Sequence, residues 1–204
     1  MLLNDLQIAD FAEKKGMITP YYPSLVSEVE VRSHPDIPPA IRKVISYGQG
    51  SFGYDLRLSS SEFKIFRHIP GQIVNPKEFN PEMLMNVALY SDRWGDFFIL
   101  PSHTYGLGLA IEKFDIPRNI TCIFLTKSTY ARAGIIWNIT PGEAGWRGHL
   151  TLEVSNSSHS DVRIYANEGV VQTLFLKGEP CAVSYDDRKG KYQDQPSEIV
   201  TSRV

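Results

Sequence analysis

The sequence predicts a mainly β protein, a barrel or jelly roll carrying a few short helices. Three observations carry that expectation. From Tyr54 onward the chain breaks into short segments rich in β-branched and aromatic residues. Turn-forming residues punctuate these segments at regular spacing, and few stretches show a helical period. Within the segment His149–Ser155, Leu150, Leu152 and Val154 alternate with Thr151, Glu153 and Ser155, so one strand face is apolar and the other polar.

Taken in order, the chain opens with a helix. Asn4 or Asp5 caps it, Leu6, Ile8, Phe11 and Ala12 form a partial apolar stripe, and Gly16 stops it after about Lys15. Met17 to Pro23 reads as extended chain, and 24–37 as a polar loop ending in His34-Pro35-Asp36. Pro38 or Pro39 then opens a second short helix over AIRKVIS, closed near Gly48. Strands are expected at 54–59, 62–67, 72–75, 96–100, 105–113, 120–126, 134–139, 149–155, 162–165, 170–177 and 181–185. Asn80 to Leu89 reads as one more short helix or an irregular insert. The tail after Tyr185 is polar and charged, and residues 186–204 are expected to be flexible. Lys189, Lys191, Tyr192 and Gln195 can close over an anionic ligand, since a tail can order on binding.

Size and composition bound the function. The 204 residues suit a single domain, 1–204, large enough to need no staples. A net charge of −2 argues against a broad nucleic-acid surface, though not against a nucleotide pocket. No run of 18 apolar residues suggests a membrane span, and the start MLLNDLQIADFAEKKG reads as neither signal peptide nor anchor. Cys122 and Cys181 stand far apart outside any CxxC pair, so a reduced, cytoplasmic setting is expected.

Motifs narrow it further. Gly48-Gln49-Gly50-Ser51-Phe52-Gly53 matches GxGxxG, but a dinucleotide site needs a strand before and a helix after. Here a helical pattern precedes and a strand pattern follows, so the stretch reads as a turn. The five histidines form no HxxxH or HxE, and no PCxxC occurs, so the zinc nucleobase deaminase signature is missing. There is no GxSxG and no P-loop.

What remains is the stretch Lys127–Asn156. Lys127-Ser128-Thr129-Tyr130-Ala131-Arg132 places two cations around the hydroxyls of Ser128 and Thr129, which suits a phosphate or a polar base edge. Glu153 is a carboxylate within a strand pattern: unremarkable if its face is open to water, a proton-transfer candidate if it faces a cleft. Arg132 has a second reading, as an ion-pair partner of Glu143 or Glu153. Trp146 reads as core rather than a stacking platform. Gln172 suits either a base amide or neighbouring backbone groups.

KSTYAR, NITPGEAGWRGHLTLEVSN, IYANEGVVQTLF and VSYDDRKGKYQDQ, with SFGYDLR, EFKIF, Pro101-Ser102 and FDIPRNI upstream, resemble the dCTP deaminase family. The resemblance covers nearly the whole chain from Ile45 to Gln195. It implies a dUTPase-like fold, a homotrimer with sites between subunits, and hydrolysis of dCTP to dUTP and ammonia. That product feeds dUMP and dTTP formation. It implies no catalytic metal, with magnesium arriving on the triphosphate, and dTTP as an inhibitor. Carried over by motif, Glu153 is the general acid/base, and Ser128 and Arg132 hold the water or the base. Lys127 and the backbone of 127–132, including Thr129, Tyr130 and Ala131, cradle the nucleotide. Thr151 and Leu152 present backbone to the base, and Gln172, Tyr185, Lys191 and Gln195 contact the nucleotide. Thr126, Trp137 and the Glu143-Ala144-Gly145 turn depart from the family's usual residues. A dUTPase or a bifunctional deaminase–diphosphatase is the alternative, because Glu143 lies near the place of a dUTPase's water-activating aspartate. Against it, the glycine-rich C-terminal phosphate motif is absent.

Overall fold

A computed structural model of the chain describes all 204 residues except 33–37. The expected mainly β architecture is present. Helix α1 spans Asp5–Lys15, as its capping signals predict. Asn4 and Gln7 form a reciprocal capping box, Gly16 closes the helix at φ +68°, and Ile8, Phe11 and Ala12 are buried.

The strands follow as β1 Ile18–Thr19, β2 Val26–Val31, β3 Ala40–Gly50, β4 Gly53–Phe66, β5 Leu84–Asn86, β6 Tyr90–Asp92 and β7 Gly95–Leu100. They continue with β8 Tyr105–Asp115, β9 Ile120–Thr126, β10 Ile135–Trp137, β11 Arg147–Asn156, β12 Val162–Tyr165 and β13 Gly169–Lys177. A short helix α2, Ser128–Ala131, lies between β9 and β10. The main sheet runs β10-β11-β8-β4-β13-β9, with β1, β2, β3 and β5 attached off this path. Strands β12, β7 and β6 form a second, three-stranded sheet.

Strand β4 ties the main sheet together. Its first half pairs with β13 (Gln172 opposite Asp55) and its second half with β8 (Lys64 opposite Leu107), with a register shift between Leu58 and Phe63. Tyr54, Leu56, Leu58 and Phe63 from β4 meet Phe98, Phe114, Leu152, Val154 and Phe175 in one continuous core. Between β4 and β8 lies a buried ion pair. Arg57 Nε donates to Glu112 Oε1 at 2.8 Å and Arg57 N to Oε2 at 2.9 Å. The rings of Tyr22 and Tyr47 flank the guanidinium at 4.6 and 4.8 Å.

Several expectations are corrected. AIRKVIS is strand β3, not a helix, and it pairs with β2, which occupies part of the expected loop at 24–37. The β-branched residues Ile41, Val44 and Ile45, supported by a partner strand, outweigh a proline at a helix start. The His34-Pro35-Asp36 turn lies outside the described residues. The strands expected at 54–59 and 62–67 are one, because the polar Ser59–Glu62 stretch continues as an irregular strand rather than turning. Residues 72–75 and 181–185 form no strand, and Ile73 is 91% exposed. Asn80–Leu89 contains a 3₁₀ turn at Pro81–Met83 followed by β5. The GxGxxG match is the tip between β3 and β4, so a strand and not a helix precedes it; the strand that follows still excludes the dinucleotide reading.

Candidate active site

Glu153 sits near the middle of β11, opposite Leu107 of β8, and its carbonyl accepts from Asn138 N at 2.8 Å. Leu150, Leu152 and Val154 point into the core, as the alternation predicts. That leaves Thr151 and Glu153 half-buried on the other face, which is not an open surface. It lines a cavity of about 520 Å³.

One wall of the cavity is aromatic and aliphatic, from Phe66, Phe79, Tyr105 and Leu107. A second is the Ile139–Glu143 turn with Trp146. The third is the tail, through Lys191, Tyr192, Gln195 and Val200–Ser202, with Tyr185 beside it. Such a site, mostly apolar with a few polar groups converging, is the usual form of a small-molecule pocket.

The electrostatics follow from this placement. Burial pushes the Glu153 carboxyl up to about 7, against the smaller opposing pull of its own backbone N–H. Its Oε2 is buried and has no hydrogen-bond partner among the described residues. A buried carboxylate oxygen left unpaired is costly, so a ligand or water that donates to it is the natural complement. Near neutral pH such a group can both accept and return a proton.

The tail is seated along β11. His149 N donates to Gln195 O at 3.0 Å, and Gln195 Nε2 donates to Thr151 Oγ1 at 2.7 Å. Val200 N also donates to Thr151 Oγ1, at 3.1 Å. The Thr151 side chain is thus an anchor for the tail. Leu152 is fully buried, backbone and side chain alike, and lines no part of the cavity. Tyr185 OH accepts from Tyr192 N at 3.0 Å, which fixes the tyrosine against the strap it helps to wall in. Trp146 is both core and wall: it is 6% exposed, and its Nε1 donates to Tyr192 O at 2.8 Å.

The Lys127–Arg132 segment lies elsewhere in the chain and lines no part of this cavity. Ser128, Thr129 and Ala131 are exposed on α2, and Arg132 is exposed just after it. Tyr130 is buried, and its OH accepts from Tyr165 N at 2.8 Å, which anchors α2 to β12. Lys127 is paired with the buried Asp55, so its ammonium already has a partner. Arg132 makes no ion pair among the described residues, whereas Glu143 is paired with Arg188 of the tail. Gln172 is exposed on β13, between Asp55 and Leu125. Two of the unusual residues prove to be partners: Trp137 N donates to Thr126 Oγ1 at 2.8 Å, and that hydroxyl returns a bond to Trp137 O at 3.2 Å.

Sequence reasoning missed Phe66, Phe79, Tyr105, Leu107 and the 200–202 wall. Tyr105 and Leu107 alternate on β8 as any strand residues do, and only the pairing of β8 with β11 turns them toward Glu153. Among the described residues, no three His, Cys, Asp or Glu side chains gather so as to hold a metal ion. No helix among them is long and apolar enough to cross a membrane.

Comparison with known proteins adds to this geometry. A family model described as dCTP deaminase-like matches residues 3–178. The chain is 46% identical over 193 residues to the dCTP deaminase of Dichelobacter nodosus (strain VCS1703A), covering 94% of each. It is 43% identical over 195 residues to that of Campylobacter curvus (strain 525.92), covering 95% of this chain and 94% of the relative. Among solved structures, 2'-deoxycytidine 5'-triphosphate deaminase from Agrobacterium tumefaciens superposes with a TM-score of 0.50 at 18% identity. That match covers 87% of this chain and 48% of the other, and it speaks to the fold alone.

Proposed function

Since the chain belongs to the dCTP deaminase-like family, we propose that it hydrolyses the 4-amino group of dCTP, giving dUTP and ammonia, with Glu153 as general acid/base. One observation carries the reading: a buried carboxyl raised to about 7, with one oxygen unpaired, in a cavity of nucleotide-compatible size. The ionised Glu153 takes a proton from water as its oxygen attacks C4 of the cytosine. It then returns protons to N3 and to the departing amine, so ammonia leaves and the C4 carbonyl forms.

In this reading no metal polarises the water, and magnesium comes only as the counter-ion of the triphosphate. Lys191, on the tail, meets the phosphates, while Thr151 offers backbone to the base. Ser128 and Arg132 act on the water and base from a second copy of the chain, in a homotrimer with sites between subunits. Two placements support that arrangement. Ser128 and Arg132 are exposed and outside the Glu153 cavity of their own chain. Around α2, Ile123 and Leu125 of β9 and Ile136 of β10 are 39%, 45% and 49% exposed, an apolar face suited to a copy of itself. The same pocket is proposed to bind dTTP as an inhibitor.

The test is incubation with dCTP and magnesium, with product identification, with and without a zinc chelator. The expected products are dUTP and ammonia, unaffected by the chelator; zinc-dependent activity would contradict the metal-free step. Glu153→Gln is expected to bind nucleotide but lose turnover by at least about 10²–10⁴-fold. Near-normal ammonia release by that variant would remove Glu153 from the mechanism. The alternative, a bifunctional deaminase–diphosphatase, places Glu143 at the pocket wall as a second acid. Formation of dUMP and pyrophosphate would select it.

A further inference from the structure

Where the tail crosses the start of β11, two side chains that touch neither Glu153 nor the cavity are joined. Arg147 Nε donates to Asp194 Oδ1 at 2.5 Å and Arg147 Nη2 to Asp194 Oδ2 at 3.0 Å, a fork-to-fork pair. Asp194 makes this pair from a left-handed backbone, φ +55°. Glycine would adopt that conformation at no steric cost, whereas a residue with a Cβ pays for it. The carboxylate is what glycine lacks.

The pair sits at a tight crossing. A Cβ on Gly148 would lie 2.6 Å from Gln195 N, so the two backbones touch. Gly148 and Gln195 form a parallel bridge, and Arg147 N donates to Gln193 Oε1 at 3.3 Å. On the inner side of the same strap are Lys191, Tyr192 and Gln195, which wall the cavity.

We propose that Arg147 and Asp194 are positioning residues, whose ion pair holds the strap 191–195 in register with β11 and so sets Lys191 and Gln195 over Glu153. Both side chains are substantially exposed, at 40% and 60%. Such a pair contributes little to the stability of the whole fold. It acts on a smaller balance, the seated against the unseated strap, where a bidentate contact shifts the population severalfold. The kinetic consequence rests on the dCTP reading above; the structural one does not.

Two readouts separate them. Amide hydrogen exchange at His149, whose N–H is covered by Gln195 O, reports the seating of the strap directly. Steady-state kinetics with dCTP report its effect on the substrate. Arg147→Gln is expected to speed exchange at His149 about two- to fivefold and to raise KM by a similar factor, with kcat within about twofold. Asp194→Gly is expected to do the same, although it relieves the backbone. Arg147→Lys, which keeps the charge but not the fork, falls between. Raising salt to about 0.5 M speeds exchange in the wild type and leaves Arg147→Gln unchanged. Unaltered His149 exchange in Arg147→Gln and Asp194→Gly overturns the proposal, and so does a loss confined to kcat. If the wild type does not turn over dCTP, the functional reading fails and the exchange measurement alone decides the role of the pair.

Discussion

Replacing Glu153 by glutamine should make the protein more stable, and by an amount that depends on pH. The Glu153 carboxyl titrates near 7 in the folded protein against an ordinary value of 4.5, because burial disfavours its charge. Below about pH 4.5 both folded and unfolded chains hold the proton, and the residue is neutral to stability. As pH rises through the interval from 4.5 to 7, the unfolded chain releases the proton first, so folding loses free energy. Above about 7 the whole cost is in place. At 1.36 kcal/mol per pH unit it comes to about 3 kcal/mol. Glutamine has the same size and no charge to desolvate. Urea unfolding of wild type and Glu153→Gln, at matched protein concentration from pH 4.5 to 8, reads the difference directly. Carboxylates common to both proteins cancel in that difference. The variant's advantage is expected to grow by about 3 kcal/mol over the range. A gap that stays flat, or that closes as pH rises, would show that Glu153 is solvated or already paired, and the argument from burial would fail.

Variants at two further places test the frame of the fold. Glu112→Ala leaves the buried Arg57 without its carboxylate and should cost about 3–5 kcal/mol, while Arg57→Met with Glu112→Leu recovers most of that loss; urea midpoints decide. Gly148→Ala puts a methyl group against Gln195 N at a backbone φ of +147° and should unseat the strap, costing about 1–3 kcal/mol and abolishing the protection of the His149 amide.

The parts of the fold that local chemistry specifies were legible in the sequence. Helix α1 was, because Asn4 and Gly16 bound it by contacts within a few residues. Strand β11 was, because strict alternation of Leu150, Leu152 and Val154 fits only one period. The failures lie where partners far along the chain decide. Residues 40–46 carry a proline start and a mixed pattern that permits a helix, and only β2 makes them a strand. Ser59–Glu62 looks like a turn until β8 and β13 are seen to hold both sides of it.

The candidate site divides the same way. Glu153 could be singled out as a carboxylate on a strand, but whether it met water or a cavity depended on the tail, whose seating rests on a glycine contact no pattern announces. The charged tail itself pointed to Lys191 and Gln195, and resemblance to a family added Tyr185; all three stand at the cavity. The residue types of Lys127–Arg132 pointed to Ser128 and Arg132, which lie exposed at α2, elsewhere in the chain. Lys127 could be read as a free cation; Asp55, far upstream, already claims it.

The shared strand β4 has a consequence for how the protein comes to be made. Its neighbours β8 and β13 are synthesised long after it, and β13 is the last strand of all. Assembly must therefore wait for distant segments, which places folding in the slow range of milliseconds to seconds characteristic of nonlocal topologies. Until then a nascent chain emerging from the ribosome carries a long, unsatisfied strand edge. Overproduction in a bacterial host should accordingly give more soluble material when growth is cooled and translation slowed.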